Sequence, residues 1–234
     1  MLDFIGTIVL VAAIIVSVNA LTGAMPISTS QRITVSVGAG LWTGLAAALA
    51  AANQFRGASP LGPLMIGTVI AFPLVATAVA TSISAPVRAS LLGMPMPFLI
   101  GLNVWRVAGG FFILLAAEGR LGGPFPYSAG WGDIITGVLA LPVAWLALRG
   151  QGKALVWAWN AFGMLDLVVA IALGVISANG SPLQLIHAGA GSEAVQMLPW
   201  SLIPTVLVPM FLIVHAVVFA QLARPDKGSE AAQR

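Results

Sequence analysis

The sequence predicts an all-α fold: a polytopic membrane protein, a bundle of seven transmembrane helices, with the N-terminus outside and the C-terminus cytoplasmic. Three observations predict it. Of 234 residues, 59% are hydrophobic and 7% are charged, and the mean hydropathy is +1.01; an ordinary soluble domain carries about 25% charged residues. Seven apolar windows reach or approach the ~20 residues that a helix needs to cross a ~30 Å hydrocarbon core. Gly and Pro crowd the segments between them, where chain breakers belong. Such a composition excludes a soluble globular enzyme, a disordered chain and a coiled coil.

The windows are 4–21, 33–52, 64–82, 98–117, 131–148, 154–178 and 198–222, joined by 22–31, 53–63, 84–97, 118–130, 149–153 and 179–197. The first follows Met1-Leu2-Asp3, which is acidic rather than basic, and no small-x-small cleavage site follows it. It reads as a membrane helix and not as a signal peptide. The second carries Ser36, Gly40, Gly44, Ala48 and Ala52 on one stripe. Small residues let helices approach closely in lipid, and the stripe reads as packing against another helix of the same chain rather than as a homo-oligomer seam through Gly40 and Gly44. The third holds Pro73. The fourth holds Arg106 with Asn103 one turn before it. The fifth is the shortest; Asp133 sits in its first turn, after Gly132, and reads as a cap on free backbone N–H groups at the outer boundary. The sixth holds Trp159, Asn160 and Asp166. The last holds His215 and two prolines, Pro204 and Pro209, which make it the span expected to break or bend.

Orientation follows from the basic residues. Arg32, Arg88, Arg149, Lys153, Arg224, Lys227 and Arg234 fall on one face, against Arg56 and Arg120 on the other. Basic connections stay cytoplasmic, so the chain divides into a membrane domain, 1–223, and a short cytoplasmic tail, 224–234. Tyr127, Trp131 and Trp200 are expected at the outer interface, and Trp145 and Trp157 at the inner one.

Charges inside a bilayer are costly and face the bundle interior. Arg106 lies ~14 Å from the inner end of its helix and Asp166 ~20 Å from the start of its own, by the 1.5 Å rise per residue. The two are expected to face each other, directly or through water. Such a pair either fixes helix register or forms a site for substrate, ion or proton. Asn103, Arg106, Trp159, Asn160, Asp166 and His215 together outline the candidate pocket.

Other chemistry finds little support. With no Cys, disulfides, iron–sulfur clusters and thiolate zinc sites are excluded. His187 and His215 lie at different depths, unlike a bis-His haem pair, and no buried Lys offers a retinal Schiff base. Gly152-Lys153 lacks the P-loop pattern, and no HExxH occurs. No cofactor is expected. The pI of 10.2 comes from scattered basic residues and not from a patch that would bind nucleic acid. Gly130-Trp131-Gly132-Asp133 spells GxGD, a pattern of intramembrane aspartyl proteases. Their chemistry needs a second Asp at matching depth; with Asp133 placed at the boundary, Asp166 lies too deep.

Four segments carry a resemblance: Gly130-Trp131-Gly132-Asp133; Trp159 through Asp166 (WNAFGMLD); Pro199 through Pro209 to His215; and Arg106 followed by Gly109 and Phe112. Over about residues 97–222 the chain resembles a group of small polytopic bacterial membrane proteins without an assigned activity. The resemblance implies a bacterial inner-membrane location and supplies no catalytic residue. The expected function is a small-solute transporter or ligand-binding membrane protein; the rival is an accessory or assembly subunit whose buried pair only locks the helices.

Overall fold

The computed structural model describes residues 1–57, 59 and 62–224. Regular structure among them is all helical. Helix α1 covers Leu2–Ala24, α2 Thr29–Ala51 and α3 Pro63–Ile83. A short α4, Ala85–Leu92, lies in the connection to the fourth span. That span is composite: α5 (Met96–Leu102), a 3₁₀ stretch (Asn103–Gly109) and α6 (Gly110–Ala117). Helix α7 covers Phe125–Leu148 and α8 Lys153–Ile176. The last span opens with a π-helical turn, Ile203–Leu207, and continues as α9, Val208–Leu222. Seven of these helical stretches are long and apolar enough to cross a membrane. The expected tail lies, Arg224 apart, outside the described residues.

Local chemistry explains the ends. Ser28 and Gln31 form a reciprocal capping box on α2, satisfying two donors that a helix start leaves orphaned. Ser84 accepts from Val87 N–H and starts α4. Between α7 and α8 the chain reverses through Gly150 and Gly152 at φ 67° and 69°, a region that other residues avoid.

The last span is the hub. Its apolar window is 67% buried, against 11% for α2. Helix α7 packs along the fourth span and along α8, and α9 packs on α8 and α3. Buried apolar residues form two clusters. One, nearer the N-terminal end, gathers Leu10, Phe112, Phe125, Leu167, Trp200 and Phe211. The other, nearer Gln221, gathers Leu99, Ile100, Val143, Val156, Trp159 and Val218. Where these clusters meet, the fourth span, α7, α8 and α9 carry buried polar side chains, among them Asn103, Arg106, Asp133, Asn160 and His215.

Three expectations change. Asp133 is not a cap. Helix α7 starts at Phe125, so Asp133 is its ninth residue, ~12 Å inside, and is 7% exposed. Pro124 and Pro126 look like breakers in sequence but fit a first turn, where their missing N–H groups have no helical partner. Trp200 is not an interfacial belt residue; it is fully buried. Its Nε1 donates to Asp3 Oδ1 at 2.7 Å, Arg120 Nη1 donates to the same oxygen at 2.8 Å, and its ring lies 5.1 Å from Phe111. The glycines of the α2 stripe are not packed within the chain: a Cβ at Gly40 or Gly44 would meet nothing within 4 Å. Its first member bonds to α1, Ser36 donating to Thr22 Oγ1 at 3.4 Å. What ties α2 down is Trp42, whose Nε1 donates to the Thr205 carbonyl at 3.1 Å, in the π turn.

Gly6 lies directly under the Trp200 ring; a Cβ there would stand 2.8 Å from Cζ3 and 2.9 Å from Cζ2. The ring is held by Asp3 and Phe111 and cannot swing away. Gly6→Leu is expected to cost about 1–3 kcal/mol by overpacking, read as a lower Tm of the detergent-solubilised protein, while Gly23→Leu, in open space, leaves Tm unchanged.

Candidate functional site

Arg106 sits in the 3₁₀ stretch of the fourth span, 2% exposed. A guanidinium carries five donors and no acceptor. Four donations are satisfied from three neighbouring helices. Nε donates to Asp133 Oδ1 of α7 at 2.7 Å, and Nη2 to Asp166 Oδ2 of α8 at 2.5 Å. Nη1 donates to the Gly163 carbonyl of α8 at 2.9 Å and meets His215 Nε2 of α9 at 3.1 Å. Because Arg cannot accept, Nε2 must present its lone pair. The proton of His215 then sits on Nδ1, which faces Asn160 Oδ1 at 2.7 Å. Asn160 Nδ2 closes the pair by donating to the His215 carbonyl at 3.0 Å. One guanidinium thus fixes a carboxylate pair, a helix carbonyl and the tautomer of an imidazole.

Glycines make room for this. A Cβ at Gly132 would overlap the Asp166 carboxylate, and one at Gly109 the Asp133 carboxylate. At Gly163 a Cβ would fall 2.6 Å from His215 Cε1 and 2.9 Å from Thr136 Cγ2. At Gly137 it would fall 2.8 Å from Val107 N. At Gly109, Gly132 and Gly163 a bare backbone thus meets a charged or polar side chain of a neighbouring helix, and at Gly137 it lets the Val107 backbone approach. The sequence around the motifs, rather than the charges themselves, carries that packing.

Of the six residues expected in the pocket, Arg106, Asp166, Asn160 and His215 are joined directly. Trp159 walls it: its Nε1 donates to the Thr136 carbonyl at 3.1 Å, and its ring lies 5.4 Å from the imidazole. Asn103 is buried but turns back on its own helix, donating to the Leu99 and Ile100 carbonyls. Asp133 is the member that sequence reasoning missed. Its displacement from the boundary also removes the depth argument made against the GxGD dyad. What separates this arrangement from a carboxylate dyad is Arg106, bonded to both carboxylates, where dyad chemistry needs the two to share a proton. Among the described residues no group of three or more His, Cys, Asp or Glu could hold a metal ion.

The cluster adjoins a cavity of about 60 Å³ lined by Ile66, Phe112, Phe125, Asp133, Ser192 and Gln196, among others. Asp133 is the one charged residue in that lining.

Removing one partner from a buried ion pair strands the other. Arg106→Leu is expected to destabilise by about 3–5 kcal/mol, while Arg106→Leu combined with Asp133→Leu and Asp166→Leu recovers most of the loss. Thermal unfolding of the purified variants checks this.

No curated protein and no solved structure matches the chain. A family model, that of the domain of unknown function DUF8737, matches residues 63–223. The match runs from the third span to the end of the last and includes Arg106, Asp133, Asn160, Gly163, Asp166 and His215. The chain belongs to the DUF8737 family.

Proposed function

We propose that the protein is a multi-pass protein of the bacterial inner membrane, N-terminus outside, that transports or binds a small solute and uses Arg106, Asp133 and Asp166 as a proton- or cation-binding centre. The seven apolar helices and the bias of basic residues support the membrane placement. The observation that carries the functional reading is a charge count. One guanidinium faces two carboxylates, with side-chain exposures of 1%, 10% and 8%. Such a site is one positive charge short of neutrality, and a deficit of that kind is costly away from water. A bound proton or small cation restores the balance. Asp133 is the member placed to exchange it, because it borders the cavity, while the Asp166 carboxylate closes the other side of the guanidinium. His215 offers Arg106 a lone pair, and Asn160 holds the imidazole in place, so the two fix the guanidinium that faces both carboxylates.

The accessory-subunit reading has its own support. Four donations of Arg106 are spent inside the protein, and the adjoining cavity is small. A lock needs no exchange with solvent, and the two readings separate on that point.

Proteoliposomes on a solid-supported membrane give the test. A pH step is expected to drive a transient charge displacement in the native protein. With Asp133→Asn and Asp166→Asn together, the amplitude is expected to fall to that of empty liposomes. An equal displacement in the double variant would contradict the proposal and leave the lock.

A further inference from the structure

We propose that a water-sized monovalent cation reaches Asp133 from the end of the bundle that carries the 179–197 connection, past Gln196; this rests on the ion-binding reading of the central cluster. Two cavities share Gln196. The wider one, about 510 Å³, is lined by Asn53, Arg56, Gly57, Asn179, Glu193 and Gln196. The narrower one leads inward from Gln196 and Ser192 to Asp133. At the far side Asp133 meets Arg106. The chain of spaces is therefore polar vestibule, amide, apolar passage, carboxylate.

Gln196 is a second, independent sign that the route holds water. It is 3% exposed, and its Nε2 has no hydrogen-bond partner. A buried amide donor left unmatched is costly, and such groups in a native fold call for an explanation. Here the side chain borders both cavities, so the oxygen of a water standing between them would accept from it and hydrate the route. The neighbourhood is rigid elsewhere. Ser192 Oγ donates to the Gly174 carbonyl at 2.7 Å, Asn179 Nδ2 donates to Glu193 at 3.0 Å, and Gly122 N–H donates to the Gly191 carbonyl at 2.8 Å.

Size and lining set the ligand class. About 60 Å³ admits a few water-sized particles and no sugar or amino acid. Phe112 and Phe125, their rings 5.4 Å apart, line the passage, which ends on a carboxylate. Hydronium and ammonium share this chemistry: a monovalent cation of water size with donor hydrogens. The π turn borders the same passage through Ile203 and Pro204.

The native chain has no Cys, so single-cysteine variants of the full chain report access cleanly. Silver ion is the probe, being monovalent, small and thiol-reactive. Ala170→Cys lines the passage one turn beyond Asp166, and Ser192→Cys lies at its mouth. Leu185→Cys and Gln151→Cys, both exposed and in connections at opposite ends, identify the two faces. Sealed vesicles of one orientation are treated briefly with silver nitrate, then denatured and labelled with a fluorescent maleimide. Loss of labelling at Ala170→Cys and Ser192→Cys from the face that blocks Leu185→Cys is expected. At a pH low enough to leave no free ammonia to complex silver, slower blocking of Ala170→Cys in ammonium nitrate than in equal potassium nitrate, with Leu185→Cys blocked at the same rate in both, identifies ammonium; slowing of Ala170→Cys relative to Leu185→Cys on lowering the pH in potassium nitrate identifies hydronium. Blocking only from the Gln151→Cys face, or no blocking of either passage variant, overturns the route. If the passage stays closed while the pH-step displacement persists and needs the two carboxylates, the route alone fails. If silver enters and that displacement is absent, the ion-binding reading fails and the route stands.

Discussion

A guanidinium at 2% exposure must be answered on every side, and the middle of this bundle is arranged to answer Arg106. Helices α7, α8 and α9 each bring an acceptor to it: Asp133, Asp166 with the Gly163 carbonyl, and His215. No single pair of helices could satisfy it. The polar layer therefore sets the register of three helices against the fourth span at once. The two apolar clusters on either side fill space without selecting depth. For helices long and apolar enough to cross a membrane that division matters, because in hydrocarbon apolar side chains gain little by moving to a helix interface, and close packing and polar contacts decide how helices meet.

Backbone irregularity concentrates where the layer needs it. The 3₁₀ stretch runs from Asn103 to Gly109 around Arg106, and the π turn from Ile203 to Leu207 precedes the helix that carries His215. Pro73 and Pro142, by contrast, lie inside α3 and α7, which continue through them. Departures from α-helical winding shift the side chains that follow around the axis, and in bundles they are found near functional groups. Thr205 shows a consequence. Its carbonyl, within the π turn, accepts the Trp42 indole from α2, so the irregular segment also anchors the most peripheral helix.

The seven spans were legible because a long apolar run is a one-dimensional signal. Arg106 and Asp166 were legible as partners because both lie far from the ends of their helices and carry opposite charge. Asp133 was not. Its position depended on where the fifth span begins, and Pro124 and Pro126 disguise a helix start as a loop. Six residues of added helix carried it from a presumed boundary into the centre. Trp200 misled for a related reason: an aromatic residue near a span end suits an interface, but its indole N–H found Asp3, almost two hundred residues away in sequence. The α2 stripe of small residues carried no information on what it faces. The glycines at 109, 132, 137 and 163 were visible in the sequence, yet their meaning is relational, since each makes space for a side chain on another helix.

The central claim is that one guanidinium holds two carboxylates. Dipolar recoupling in magic-angle-spinning NMR of the membrane-embedded protein, with labelled arginine nitrogens and aspartate carboxyl carbons, reads that contact directly. The account predicts coupling of the Arg106 side-chain nitrogens to both the Asp133 and the Asp166 carboxyl carbons, the first through Nε and the second through Nη2. Coupling to one carbon alone, or to neither, would contradict it.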